Sequence, residues 1–264
     1  MRKYIFKIEC VTNLHVGSGE ANYNIIDNEV QKDVVLTDVP AIYSSGVKGA
    51  LREHFSTVWN IENNITNKNK IKKIFGNDDG ESTQGTYKFF GAKLIARPLR
   101  VSSGNKPYLL TTSNDILKDF SDFMDGLGLS NFFKFSELKL DKSKFGANVS
   151  GFELEGEKVV KYELNEINAI KKLIGNDFAI ANSLRDYDLP VVARNVLENG
   201  KSKNLWYEEI VPHKSIFYSV VMIPDNEEIE LKFKPDEPVQ FGGNATIGQG
   251  YTKITQVYPA EVIK

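Results

Sequence analysis

The residues best suited to chemistry on a phosphate lie close together near the start of this 264-residue chain. Between Leu14 and Phe55 come a glycine turn (Gly17-Ser18-Gly19), a loop acid (Asp27, behind Ile25-Ile26) and the run Ser44-Ser45-Gly46-Val47-Lys48-Gly49-Ala50-Leu51-Arg52. The last reads as a helix start, whose free N–H groups and positive dipole end suit an anion. Lys48 and Arg52, one turn apart, project together. Gly49 inside a helix costs about 1 kcal/mol relative to alanine, a cost that close approach of a ligand backbone would explain. The plainer reading makes both cations ordinary surface residues. Asp27 is a lone loop acid, whose plainer reading is a solvated and inert side chain; Glu20, Glu29, Asp33 and Asp38 lie nearby without a spacing that dictates a metal pair. His15 suits a general acid/base, a stacking ring, or a strand-end histidine with a backbone partner.

A second glycine-rich segment lies far downstream. Phe241 to Gly250 holds Gly242, Gly243, Gly248 and Gly250, with Asn244 among them. Such a loop lets backbone N–H groups approach an anion, or is simply a tight surface turn. It has neither the Lys-Ser/Thr of a phosphate-binding P-loop nor a Gly-x-Gly-x-x-Gly spacing. His54 and His213 have no companions that suggest a site, and no Ser-His-Asp arrangement can be assembled.

Composition narrows the classes. Apolar residues make up 41% of the chain, enough for a packed interior. No run approaches the length of a membrane span. The opening MRKYIFKIEC lacks the apolar stretch of a signal peptide. The single cysteine, Cys10, excludes an internal disulfide and a cysteine-based zinc site. Together these predict a cytoplasmic protein with no membrane partner. A net charge of −2 argues against a free-standing nucleic-acid binder. Any RNA contact must use locally placed cations or an assembly that shares the electrostatic load.

Several elements position these residues. Residues 3–11 alternate, with Tyr4, Phe6, Ile8 and Cys10 on one face of a strand. Residues 15–38 read as a long loop, with a short hairpin at Glu29–Val35. From Val47 a helical face runs through Leu51, Phe55 and Val58, capped by Ser44 or Ser45. The Asn- and Lys-rich residues 60–75 read as an exposed connection. Gly85–Phe90 and Ala92–Ala96 read as a strand pair through Gly91, followed by a strand at 108–112. A helix then runs from a Ser113 or Asn114 cap to Gly126–Gly128. A further helix is expected over Asn165–Ile174. The clearest hairpin is Leu189–Val211, turning at Asn199-Gly200, with Arg194 on its outgoing strand and Trp206, Tyr207 and Glu208 on its return. It either packs back or projects and stacks on bases. Ser215–Ile223 suits a strand buried on both faces; Ile229, Leu231 and Phe233 alternate again, and a last strand covers Tyr251–Val257. The order predicts a single α+β domain over 1–264.

Taken in order, His15–Gly19, Ile25–Gln31, Ser44–Arg52, Pro190–Asn195 with Lys203–Glu209, and Phe241–Gly250 resemble the RAMP superfamily of type III CRISPR–Cas systems. The likeness is greatest to the target-RNA-cutting backbone subunits of type III-B (Cmr) effector complexes. Each motif is weak alone, whereas the ordered set spans nearly the whole chain. The chain departs from the family pattern at Lys32-Asp33, usually Arg-Glu, and at Asp38-Val39-Pro40, usually Gly-Phe-Pro. The resemblance implies a ferredoxin-like (RRM-type) RAMP core with inserted helices, a catalytic loop over about 14–40 and a protruding thumb β-hairpin at about 189–211. It implies copies stacked as a filament along a CRISPR guide RNA with other complex subunits. Single-stranded target RNA would be cut at six-nucleotide intervals with a divalent metal ion, magnesium or manganese. Asp27 matches the required acid and prospective metal ligand; His15 matches a position near the cut site, and Tyr207, Glu208 and Glu209 fall in a region where further catalytic groups lie. Gly17, Ser18, Lys48, Gly49, Arg52, Arg194, Gly242, Gly243, Asn244 and Gly248 match RNA-contacting positions. The type III-A backbone subunit and a purely structural RNA-binding backbone remain as alternatives.

Overall fold

In the computed structural model the described residues are 1–19, 25–77, 83–103, 106–133, 153–154, 157–158, 160–161, 168–175, 178–181, 183–185 and 188–259. Their elements, in chain order, begin with β1 (Arg2–Cys10), β2 (Ala41–Ile42), α1 (Ser44–Val58), α2 (Ile65–Phe75), β3 (Lys88–Phe89), β4 (Ala92–Ser103), β5 (Tyr108–Ser113) and α3 (Asn114–Gly126). There follow β6 (Glu153–Leu154), β7 (Glu157–Lys158), β8 (Val160–Lys161), α4 (Asn168–Ile174) and β9 (Phe178–Ala181). The chain closes with β10 (Val191–Glu198), β11 (Lys201–Glu209), β12 (Ile216–Ile223), β13 (Val239–Gln240) and β14 (Tyr251–Tyr258).

One sheet runs in the order β13-β14-β1-β12-β4-β5-β9-β8. β1 is antiparallel to both β14 and β12, and β12 is antiparallel to β4, so β4 runs parallel to β1 with β12 between them. The return from β1 to β4 passes through α1 and α2. β4 is long and changes partners along its length, pairing β12 through Lys93–Ala96 and β5 through Arg97–Arg100. Tyr4, Phe6, Ile8 and Cys10 are buried as the alternation predicts; Ile5, on the opposite face, is buried too. β12 is buried along almost its whole length. Burial, with the Glu9 charge, pushes the Cys10 thiol up to about 12, so Cys10 is a core residue and not a nucleophile.

α1 buries Val47, Leu51 and Phe55, each contributing about 1.5–3 kcal/mol of apolar burial. This face packs against α2, β3 and β13. α3 starts at its Ser113 cap, whose hydroxyl accepts from the Ile116 amide. β10 and β11 form a separate two-stranded sheet, exposed along most of its length. Its turn is Asn199-Gly200, both with positive φ (50° and 75°), the backbone a tight two-residue hairpin requires.

Several expectations are corrected. Residues 65–75 form a helix and not a bare connection, because Ile71, Ile74 and Phe75 fall on one buried face and Asn64 caps it by accepting from the Asn67 amide. Neither Ser44 nor Ser45 caps α1; both lie inside it, and the N-cap is Tyr43 with no side-chain cap bond. The hairpin at Glu29–Val35 does not form. Asp33 instead accepts from the Val35 and Leu36 amides and turns the chain locally. β3 pairs with β12 and not with β4, so Phe89 and Lys93 lie along one edge of β12. Ile229 and Leu231 are buried without forming a strand. The expected helix at 165–174 is seen from Asn168; residues 165–167, like Glu20, lie outside the described residues. Among the described residues no helix is long and apolar enough to cross a membrane.

Candidate nucleic-acid interface

Asp27 lies in the loop between β1 and β2, exposed, at the foot of the β10–β11 hairpin. One carboxylate oxygen accepts from the Tyr207 amide at 2.8 Å. The Asp27 and Asn28 amides both donate to the Tyr207 carbonyl at 3.1 Å. The acid is thus fixed from both sides to a residue 180 positions away. Ile25 beside it is 88% exposed, so the segment reaches the surface while its backbone stays tied.

The next two residues of β11 face inward. Glu208 is 5% exposed. Its Oε1 accepts from Trp206 Nε1 at 2.8 Å, and its Oε2 accepts from Arg194 Nη1 at 3.0 Å and Asn244 Nδ2 at 3.1 Å. Burial raises the affinity of this carboxyl for a proton. The bonds from Trp206 and Arg194, with the charges of Arg194 and His15, outweigh that and hold its pKa below the usual glutamate value. Arg194 also lies over the Trp206 ring, 5.5 Å from its centroid. Glu209, equally buried, accepts from the Val30 amide and lies 3.5 Å from Lys32 Nζ.

His15 stands between the hairpin root and the glycine-rich loop. Its Nδ1 donates to the Glu209 carbonyl at 2.8 Å, which leaves Nε2 of the neutral ring as an acceptor. Its own carbonyl accepts from the Gly243 amide at 2.9 Å. Gly242 must be glycine: its φ is +74°, and a Cβ there would lie 2.2 Å from the His15 carbonyl oxygen. Gln240 Nε2 lies 3.0–3.4 Å from the carbonyls of Phe241, Gly242, Gly243 and Gln249, which share its two N–H donors, and it braces the loop from within. Gly248, with φ +79° and no atom within 4 Å of where its Cβ would stand, is the open part of the loop.

The helix start is joined to this cluster by Gln31. Its Oε1 accepts from the Tyr43 amide at 2.8 Å and its Nε2 donates to the Gly17 carbonyl at 3.2 Å. Ser18 donates its amide to Glu29 and Gly17 bridges Val30, so the glycine turn braces the Asp27 loop from the other side. Lys48 and Arg52 line an open groove of about 620 Å³ with Ser44, Ser45, Gly76 and Lys88. Gly49 lines a groove with Arg52 and another, of about 720 Å³, shared with Gln240 and Gly242. No atom lies within 4 Å of where a Gly49 Cβ would stand, so nothing among the described residues requires glycine there.

The structure therefore brings together Asp27 and Tyr207 as one unit, and His15, Glu208, Arg194, Asn244, Gly242 and Gly243 as another beside it. It places the Lys48–Arg52 pair in a separate groove. Sequence reasoning did not single out Gln31 or Gln240, and it placed Glu209 among the candidate active-site groups without its clamp on Val30 and Lys32. It also missed Lys93, which lies 3.2 Å from Asp33 and 2.8 Å from Asp119 and ties the loop to β4 and α3. Burial pushes the Lys93 ammonium down, but the two carboxylates win and its pKa is raised. Among the described residues no three His, Cys, Asp or Glu side chains cluster as a metal site. Asp27 offers a carboxylate that fits a divalent ion only when phosphate oxygens and waters complete the shell, as is common for magnesium.

A model of the RAMP superfamily matches residues 7–253, and the chain belongs to that superfamily. It is 26% identical to the CRISPR system Cmr endoribonuclease Cmr4 of Pyrococcus furiosus over 294 aligned residues, covering 97% of this chain and 96% of that protein. It is 23% identical to the CRISPR system CMR subunit Cmr4 of Saccharolobus solfataricus, covering 94% of each. In fold it is similar to a chain in the cryo-electron microscopy structure of the type III-B Cmr-beta bound to cognate target RNA, with TM-score 0.72, 24% identity and 97% of both chains covered. The crystal structure of oligomeric Cmr4 from Pyrococcus furiosus gives TM-score 0.66 at 21% identity, covering 97% of this chain and 98% of that one. The resemblance read from the ordered motifs is borne out by these relatives.

Proposed function

We propose that this RAMP-superfamily chain is a backbone subunit of a type III-B CRISPR effector complex. Several copies and other subunits lie along one guide RNA, and each copy cuts complementary target RNA, giving six-nucleotide intervals. The observation that carries this reading is the fixing of Asp27 at the foot of an exposed hairpin. A thumb that displaces a nucleotide and an acid that acts beside it must be held in one geometry. Strand order supports a ferredoxin-like core: β14-β1-β12-β4 is a four-stranded antiparallel run with α1 in the first crossover. The second crossover, between β12 and β14, has no α-helix among its residues.

In this reading the nucleophile is the substrate's own 2′-OH. Its oxygen bonds to the adjacent phosphorus, the P–O5′ bond breaks, and the 2′ proton must be removed as the 5′ oxygen gains one. The hairpin supplies in-line geometry by unstacking the nucleotide. His15 Nε2 lies beside the glycine turn, 3.3 Å from where a Cβ built at Gly17 would stand, and serves as the proton acceptor. Tyr207 holds Asp27 through its main chain, and Glu208 positions Arg194 and Asn244. A divalent ion, when bound through Asp27, supplies charge stabilisation at the phosphate. The glycine-rich loop and the Lys48–Arg52 groove receive the guide backbone.

The test is Asp27→Ala and Asp27→Asn in the reconstituted complex. Assembly and target binding should persist while cleavage at regular intervals vanishes. Unchanged cutting by both variants refutes the assignment of Asp27. A wild-type complex that binds target and never cuts it makes the chain a structural backbone instead.

A further inference from the structure

We propose that Glu209 is the positioning residue for Asp27, gripping the loop that carries the acid against the hairpin root. This rests on the reading of Asp27 as the cutting residue. Glu209 is 5% exposed, and it meets the loop at three alternate residues. Its amide donates to the Asn28 carbonyl at 2.9 Å. Its Oε2 accepts from the Val30 amide at 3.1 Å. Its Oε1 lies 3.5 Å from Lys32 Nζ, which is itself 3.6 Å from Glu29. Alternate residues of an extended segment turn their main-chain groups to the same edge, so the Glu209 amide and buried carboxylate hold that edge at Asn28 and Val30, and the Lys32 ammonium adds a third contact.

The contact has two properties that a surface ion pair lacks. The Val30 amide is satisfied by a side chain from a distant part of the chain, and Val30 itself is buried. The carbonyl of Glu209 also accepts from His15 Nδ1 at 2.8 Å. One residue therefore fixes the loop acid and the imidazole with respect to the same strand. Tyr207, two residues earlier, holds Asp27 through its backbone alone. On the hairpin side that contact does not depend on the Tyr207 side chain, but its register depends on the loop staying pinned at Val30 and Lys32. Moving the loop by a fraction of an ångström moves Asp27 relative to whatever the hairpin presents to it.

Glu209→Ala and Glu209→Gln in the assembled complex test this. Glutamine keeps an acceptor for the Val30 amide and loses the charge toward Lys32; alanine loses both. Alanine is expected to lower the single-turnover cleavage rate at saturating target by roughly 10- to 100-fold, with target affinity and cut spacing unchanged. Glutamine is expected to recover most of the rate. Hydrogen exchange on the isolated protein supplies an arm independent of cutting: the Val30 amide should exchange faster in the alanine variant, by about tenfold or more. A wild-type complex that assembles and cuts nothing defeats the functional reading, while exchange still decides the clamp. Equal exchange at Val30 in wild type and Glu209→Ala overturns the proposal. So does a rate unchanged in the folded alanine variant, or one lowered equally by glutamine and alanine.

Discussion

Removing the Glu208 carboxylate should destabilise the hairpin root far more than removing a surface acid. Three donors converge on it: Trp206 Nε1, Arg194 Nη1 and Asn244 Nδ2, at 2.8 to 3.1 Å. Breaking a buried ion pair by deleting one partner costs about 3–5 kcal/mol. The Arg194 side chain is 23% exposed, so water recovers part of that loss and about 2–4 kcal/mol is expected for Glu208→Ala. Glu208→Gln cannot repair the site. With its NH₂ at the Oε2 position it faces Arg194 and Asn244, and with its NH₂ at Oε1 it faces the indole N–H. Either orientation sets donor against donor, so glutamine should still cost about 1–2 kcal/mol.

The assay is urea unfolding at neutral pH followed by circular dichroism, with thermal midpoints alongside. At about 2–4 °C per kcal/mol for a chain approaching this size, alanine should lower the midpoint by roughly 5–15 °C. The acid limb gives a second readout. The folded pKa of Glu208 is depressed, so the stability it contributes is fully present above the unfolded value near 4.3 and is lost as pH falls through the folded pKa. Glu208→Gln should therefore flatten the loss of stability below about pH 4.3. A Glu208→Ala protein within about 0.5 kcal/mol of wild type, or one with an unchanged acid limb, refutes the reasoning.

Two further outcomes separate glycines and cations by role. Gly242→Ala should cost more than about 2 kcal/mol, because strain at positive φ adds to a contact 2.2 Å from the His15 carbonyl. Gly248→Ala, also at positive φ but with open space around it, should cost about 1 kcal/mol; equal losses in urea unfolding would remove the packing explanation. Lys48→Ala should leave unfolding unchanged, since Lys48 is exposed. Titration of guide RNA at several salt concentrations should show the slope of log affinity against log salt reduced by about 0.7. An unchanged slope takes Lys48 out of the RNA path.

Much of the scaffold is legible in local pattern, because local pattern decides it. The alternation of β1, the unbroken apolar run of β12, the Ser113 cap and the Asn199-Gly200 turn are each set by neighbours in sequence. α2 is not legible in this way: its lysines and asparagines hide three apolar residues, Ile71, Ile74 and Phe75, that matter only when α1 is there to cover them. The Glu29–Val35 hairpin fails for the converse reason, since the Asp33 side chain offers the backbone a nearer partner. Within the candidate site, the residue types near Asp27 and His15 can be read directly. What they touch cannot, because Tyr207, Glu208 and Glu209 reach them across about 180 residues and no periodicity encodes that pairing. The glycine-rich loop holds both readings at once: Gly242 serves the chain's own packing, while Gly248 stays open.

The charge inventory bears on how such a chain would hold RNA. It carries 33 lysines and arginines against 35 aspartates and glutamates. Several cations nearest the site are engaged within the protein: Lys32 by Glu29 and Glu209, Lys93 by Asp33 and Asp119, Arg194 by Glu208. These pairs fix loop, hairpin and sheet to one another and add little to the field seen by a polyanion. Among the described residues beside the site, the helix start, Lys48, Lys88 and the amides of a glycine loop are placed to meet a phosphate backbone. A contact of that size binds weakly on its own at physiological salt. Arrayed copies on one strand multiply a weak contact through effective concentration, and a near-neutral surface lets those copies pack side by side without mutual repulsion. A lone subunit should therefore bind short RNA weakly and long RNA cooperatively, and non-cooperative, tight binding of a single copy would contradict the filament reading.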